Sequence, residues 1–185
     1  MKKLQIIAFL LLGLIAFNVS GQISVGATIG AQLPMGNFSD IAKTGFGFNA
    51  MGTYSLDDNM AVGLNIGYNQ FGKVEIPFFE ETETITYSMI PITGLFHYYF
   101  SNGTLRPFAG ADLGLYSMGA KVKFMGVETS DSKTYFGFAP KVGAMYELND
   151  DVFLCGNLKY HYVSSEDIAS TWVGINVGAV IKISK

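Results

Sequence analysis

Eight times between Ile23 and Ile183, apolar side chains alternate with small or polar ones at a period of two. That period puts alternate residues on opposite faces of an extended strand, so it predicts β-structure along nearly the whole chain. In the first segment Ile23, Val25, Ala27, Ile29 and Ala31 alternate with Ser24, Gly26, Thr28, Gly30 and Gln32. In the last, Val173, Ile175, Val177, Ala179, Ile181 and Ile183 alternate with Gly174, Asn176, Gly178 and Lys182. Six further segments, near 45–56, 60–69, 89–100, 106–115, 136–148 and 152–162, repeat the pattern.

The second face decides what surrounds such strands. A soluble barrel turns its apolar face inward and needs an outer face dense in Lys, Glu, Asp and Arg. Here charged residues are only 15% of the chain, against about 25% in soluble domains, and the second face is mostly Gly, Ser, Asn and Ala. Small polar side chains suit the interior of a narrow eight-stranded tube, which leaves the apolar face for lipid. The connections agree. Asp57-Asp58-Asn59, Ser101-Asn102-Gly103-Thr104 and Asn149-Asp150-Asp151 are tight polar turns, and longer links lie near 33–44, 73–84, 118–132 and 164–169. Short turns at one end and long loops at the other are the layout of a bacterial outer-membrane barrel. Aromatic residues form two belts, Tyr54, Phe96, Tyr98, Phe100 and Tyr146 near the short turns and Phe46, Phe48, Tyr68, Phe136, Phe138, Tyr160 and Tyr162 near the loops.

The N-terminus reads as an export signal. Lys2 and Lys3 precede an apolar run from Ile6 to Phe17, and Val19-Ser20-Gly21 supplies short residues for a peptidase. The run is about 12 residues, too short for a spanning helix of roughly 20. The expected organisation is a cleaved signal peptide at 1–21 and a single barrel domain at 22–185. This makes an all-β, eight-stranded, antiparallel up-and-down transmembrane barrel, multi-pass in the outer membrane of a Gram-negative bacterium. A closed barrel leaves no free edges, so a monomer is expected. The net charge of -3 gives no reason to expect nucleic acid. The single Cys155 forms no internal disulfide and points inward as an inert filler.

The chain resembles the eight-stranded outer-membrane protein β-barrel domain family, of the OmpX and OmpA-barrel type. The resemblance is carried by Ile90-Pro91-Ile92 running to Tyr98-Tyr99-Phe100, by Arg106-Pro107-Phe108-Ala109-Gly110-Ala111 with Leu113-Gly114-Leu115, and by Phe138-Ala139-Pro140-Lys141-Val142-Gly143 with Tyr146-Glu147-Leu148. It implies a lipid-embedded barrel that contacts outer-membrane lipid and lipopolysaccharide. The peptidoglycan-binding domain of full OmpA proteins is not expected. The terminal Lys185 departs from the aromatic residue that ends many such barrels.

Charges inside a narrow lumen need partners. By alternation Arg106, Glu147, Asp112 and Lys141 face the lumen, and placing Arg106 opposite Glu147 puts Asp112 opposite Lys141 in the same register. These are expected as structural lumen ion pairs. Lys159 falls opposite Lys141 if the turn at 149–151 has three residues, and has no evident acceptor. His97 and His161 face the lumen on different strands without further ligands, so no metal site is expected. His161 with Ser164, Ser165 and Glu166 resembles the residues of outer-membrane lipid A deacylases. Position 163 is Val, however, and Ser164 has the opposite parity to His161. Gly26 to Gly30 is not followed by a helix pattern, so it cradles no phosphate. Trp172 is expected to pack near the loop end of the lumen.

The loop from Lys73 to Thr84 carries Ile76, Phe78, Phe79, Glu80 and Glu81, an apolar knot with an acidic flank. It either contacts a surface ligand or partner protein, folds onto the rim, or extends its hairpin above the bilayer. Lys121 and Lys123, in the link 118–132, are placed to touch lipopolysaccharide phosphates. The expected function is non-catalytic and without cofactor, a structural or surface-interaction role through the extracellular loops. A narrow porin for small solutes and a lipid-modifying enzyme are the alternatives.

Overall fold

The computed structural model describes residues 21–78, 81–124, 127–165 and 169–183. The leader expected at 1–21 lies, apart from Gly21, outside the described residues, as do Phe79, Glu80, Glu166 and Lys185. The elements are β1 (Ile23–Met35), α1 (Phe38–Ile41), β2 (Lys43–Ser55), β3 (Met60–Gly72), β4 (Val74–Phe78), β5 (Glu81–Tyr99), β6 (Leu105–Phe124), β7 (Val127–Asn149), β8 (Val152–Ser164) and β9 (Ser170–Lys182).

All pairings are antiparallel, and consecutive strands lie side by side except β3 and β4, which both pair β5. The sheet closes on itself because β1 also pairs β9, through Ala27 and Ala179 among others, and β3 pairs β5. Eight strands therefore make the wall. β4 is not a ninth. It continues the line of β3 along β5, after a one-residue slip between the pairs Gln70–Ser88 and Val74–Ile85. In hydrocarbon an unpaired backbone amide costs several kcal/mol, and only closure removes both edges.

Side-chain parity follows the alternation. Ile29, Leu64, Phe136 and Val177 are more than half exposed on the outer wall, toward lipid. Thr28, Gln32, Asn49, Asn65, Asn69, Thr93 and Asn176 are buried inside. Where two backbones come closest at the β1–β9 seam, the inward residue is glycine. A Cβ on Gly178 would lie 1.9 Å from the carbonyl oxygen of Ala27.

The turns at the short end are built by their own side chains. The Asp57 carboxylate accepts from the amides of Asn59 (2.8 Å) and Met60 (2.7 Å). The Asn149 side-chain oxygen accepts from Asp151 (3.1 Å) and Val152 (2.9 Å). Asp and Asn favour such positions because they can mimic the next backbone carbonyl.

The other end differs from the expected long loops. β1, β2, β3, β8 and β9 have 13 residues each, but β5, β6 and β7 have 19, 20 and 23. A tilted strand crosses a bilayer core in about 9–11 residues. The segment expected as a loop at 118–132 is instead a ladder running to Phe124 opposite Val127. The 73–84 segment takes the hairpin form that was one of its expected alternatives, with Val74 opposite Ile85 and Phe78 opposite Glu81. The extra residues carry β4, β5, β6 and β7 on the order of 20 Å past the bilayer as one four-stranded sheet. Among the described residues, β7 above Phe136 has β6 as its only partner, since its pairing to β8 starts at Phe136 and Ser164.

Val177→Arg, on the lipid face in mid-strand, is expected to cost about 2–4 kcal/mol in urea unfolding from lipid vesicles. Ser130→Arg, on the sheet above the bilayer, is expected to change stability by less than about 0.5 kcal/mol.

Candidate functional site

The lumen is filled in three layers. Nearest the loops, Phe38, Phe71, Met89, Tyr116, Val163 and Trp172 form an apolar cluster, each at most 2% exposed. Phe38 enters from above on α1, a four-residue turn that follows Gly36, whose φ of 56° suits glycine. Its ring meets Phe71 edge-on at 4.8 Å and Trp172 at 6.2 Å. Trp172 stacks on His161 at 4.4 Å, and its indole N–H donates to Gln32 Oε1 at 3.1 Å.

The middle layer is polar. Gln32 donates to Asn176 (3.1 Å), and Asn176 donates to Asn157 (3.1 Å). Asp112 receives two lysines, Lys141 at 2.6 Å and Lys159 at 2.7 Å, with all three side chains at most 5% exposed. The third layer, toward the short turns, is Phe108, Met145, Phe153, Cys155 and Val180. Beneath it a cavity of about 420 Å³ opens at the short-turn end, walled by Ser24, Thr53, Tyr99, Arg106, Phe153 and Lys182. At this mouth Arg106 meets Glu147 at 3.0 Å, with each side chain about one quarter exposed. The Phe153 ring lies between the Arg106 guanidinium (4.8 Å) and the Lys182 ammonium (4.7 Å).

The structure thus brings Arg106 to Glu147 and Lys141 to Asp112, but not in the register expected. Arg106 stands opposite Met145, and Asp112 opposite Ala139. The displacement is two residues, so parity is kept and each ion pair closes diagonally, within reach of long side chains. The cause is the connection between β6 and β7. Read as a long loop it leaves the register open, whereas a hairpin with Phe124 opposite Val127 sets it. Lys159 does stand opposite Lys141, and its acceptor is the same Asp112.

Among the described residues His161 and Ser164 do not meet as a lipid A deacylase pair would, and Glu166 lies outside those residues. His161 is buried with its Nδ1 3.2 Å from the Tyr116 hydroxyl, while Ser164 is exposed at the top of β8. Among the described residues, no three His, Cys, Asp or Glu side chains gather as a metal site. Of the expected loop contacts, Ile76, Phe78 and Glu81 have backbone in the β4–β5 hairpin. Apart from Trp172, expected to pack near the loop end, the aromatic plug was not read from the sequence. Its signal was present as Phe71, Met89 and Tyr116, large side chains on the face that is otherwise small and polar.

Residues 7–180 match the family model for the outer membrane protein beta-barrel domain. The chain belongs to that family. No curated protein matches the sequence. Solved structures share the fold of this outer-membrane barrel at low identity. The outer membrane protein OprG from Pseudomonas aeruginosa has a TM-score of 0.62 at 14% identity, over 89% of this chain and 97% of its own. Neisserial surface protein A has a TM-score of 0.59 at 17% identity, over 89% and 98%. Ail, the attachment invasion locus protein of Yersinia pestis, solved with the heparin analogue sucrose octasulfate, has a TM-score of 0.54 at 15% identity, over 88% and 97%.

Within the barrel, removing one partner from a buried ionic group leaves the others uncompensated. Asp112→Asn is expected to cost roughly 3–5 kcal/mol in urea unfolding. Glu147→Gln, at the wet mouth, is expected to cost about 1 kcal/mol or less.

Proposed function

We propose that this outer-membrane barrel is a non-catalytic surface-interaction protein, working as a monomer in the outer membrane of a Gram-negative bacterium. The observation that carries the reading is the four-stranded sheet that β4–β7 raise above the bilayer. Three strands run well beyond what crossing requires, and residues 129–134 on β7 are exposed. Lys121 and Lys123 lie on the exposed outer face of that sheet, the face continuous with the lipid-facing wall. Lipopolysaccharide, whose anionic head groups lie just above the hydrocarbon of the outer leaflet, is the partner this placement favours first. The β4–β5 hairpin and the β7 edge supply backbone for contact with a further ligand or protein. Ail, similar in fold, was solved with a polysulfated sugar, which is compatible with an anionic ligand here.

The alternatives have less support. A narrow porin needs an open path, and the aromatic plug and the Asp112–lysine cluster both cross the lumen. A lipid-modifying enzyme needs a nucleophile beside its base, and His161 and Ser164 lie on opposite faces of β8.

The test uses a variant in which residues 120–131 are replaced by Asn-Gly, which restores a short hairpin. Both proteins are assayed for heat-modifiable mobility and for binding to purified lipopolysaccharide and to a heparin fragment. The expected result is an intact mobility shift in both proteins, with at least about tenfold weaker binding by the variant, the equivalent of one 1.4 kcal/mol step. Equal binding by both proteins would remove the sheet from the function. Discrete single-channel conductance of the intact protein in planar bilayers would move the reading to a porin. Released acyl chains in lipopolysaccharide treated with the protein would move it to an enzyme.

A further inference from the structure

The middle layer of the lumen holds an excess of positive charge. Lys141 and Lys159 both rest on Asp112, and none of the three is more than 6% exposed. The other lumen ion pair, Arg106 with Glu147, is balanced and sits at the mouth. Two ammonium groups against one carboxylate leave a net charge of one inside a low-dielectric tube, where an uncompensated charge is expensive.

The same layer has an excess of donors. Each ammonium has three N–H groups. Lys159 donates one to Asp112 Oδ2 at 2.7 Å, while Lys141 meets Asp112 Oδ1 as an ion pair at 2.6 Å without hydrogen-bond geometry. Among the described residues no other acceptor lies on either lysine. His97, 1% exposed, has its Nδ1 3.3 Å from the Tyr99 hydroxyl, while its Nε2 has no partner. The His97 side chain also borders the space beside the two lysines. Between these groups is a small void of about 10 Å³, lined among others by Thr28, Asn65, His97, Lys141, Asn157 and Lys159. That is space for about one water-sized particle.

We propose that this void is a binding site for a single monatomic halide, of the chloride class, held by Lys141, Lys159 and His97. A water molecule would offer lone pairs but no charge. A carboxylate, phosphate or sulfate is too large for the space. A halide supplies the missing negative charge and accepts from several donors at once. The slightly larger radius is accommodated because both ammonium groups end flexible four-carbon stems. The site is separate from the extracellular sheet and does not depend on the surface-binding reading.

The experiment uses the full barrel refolded in detergent. The midpoint of its heat-induced mobility change is measured in sodium chloride, bromide, sulfate and gluconate at equal ionic strength. The midpoint is expected to rise with chloride and bromide, logarithmically above the dissociation constant, and not with sulfate or gluconate. Lys159→Met leaves Lys141 and Asp112 as a balanced pair, and the halide dependence is expected to vanish. Arg106→Met, at the mouth, is expected to keep it. Bromide-soaked crystals should show anomalous scattering between Lys141, Lys159 and His97. Equal midpoints in all four salts, a halide shift retained in Lys159→Met, or bromide found only on the protein surface would each overturn the proposal. Where Lys159→Met fails to fold, the bromide map of the unmodified protein decides alone.

Discussion

In hydrocarbon a backbone amide has no water to turn to, and most of this molecule follows from that. Each N–H and C=O within the membrane must find a partner in the sheet. The seam between β1 and β9 supplies the last set, and it forms only because glycine at positions such as Gly178 lets the two backbones meet at a narrow radius. Closure then dictates the side chains. With eight strands the bore is too narrow for open solvent, so the inward positions pack against one another. They sort by what the two ends require, an aromatic cluster under the extracellular rim, a hydrogen-bonded polar girdle at mid-height, and an apolar floor above a wet periplasmic mouth.

The polar girdle shows how such an interior differs from a soluble core. Polar side chains face inward because the outer wall is reserved for lipid contact, and each buried donor or acceptor then depends on its neighbours. Gln32, Asn176 and Asn157 satisfy one another in sequence across three strands. Asp112 binds β6 to both β7 and β8 through its two lysines. These contacts connect residues far apart in the chain, so they register the strands as well as fill the tube.

Strand number and facing were legible in the sequence because a period of two survives any even slip. The β6–β7 register was not, because it rests on where a turn falls, and that turn was hidden within a stretch read as loop. Arg106 and Glu147 met regardless, since long side chains tolerate a diagonal. Lys159 was placed opposite Lys141 correctly, but one carboxylate serving two cations is a three-dimensional fact that pairwise reasoning does not reach. Phe38 was invisible for another reason. It sits among Gly36, Asn37, Ser39 and Asp40, a stretch that reads as solvated turn, and only the aromatic pocket beneath explains its burial.

The sheet of β4–β7 rises from half of the circumference, while β8, β9, β1 and β2 stop near the bilayer. The cell-surface end is therefore lopsided, a parapet beside a floor. A large molecule arriving over the low side reaches the plugged mouth and the inner face of the parapet, whereas one arriving over the high side meets the outer face and the lipids at its foot. Two approaches thus lead to two different chemical surfaces, and a barrel with near-circular symmetry in the membrane acquires a compass direction above it.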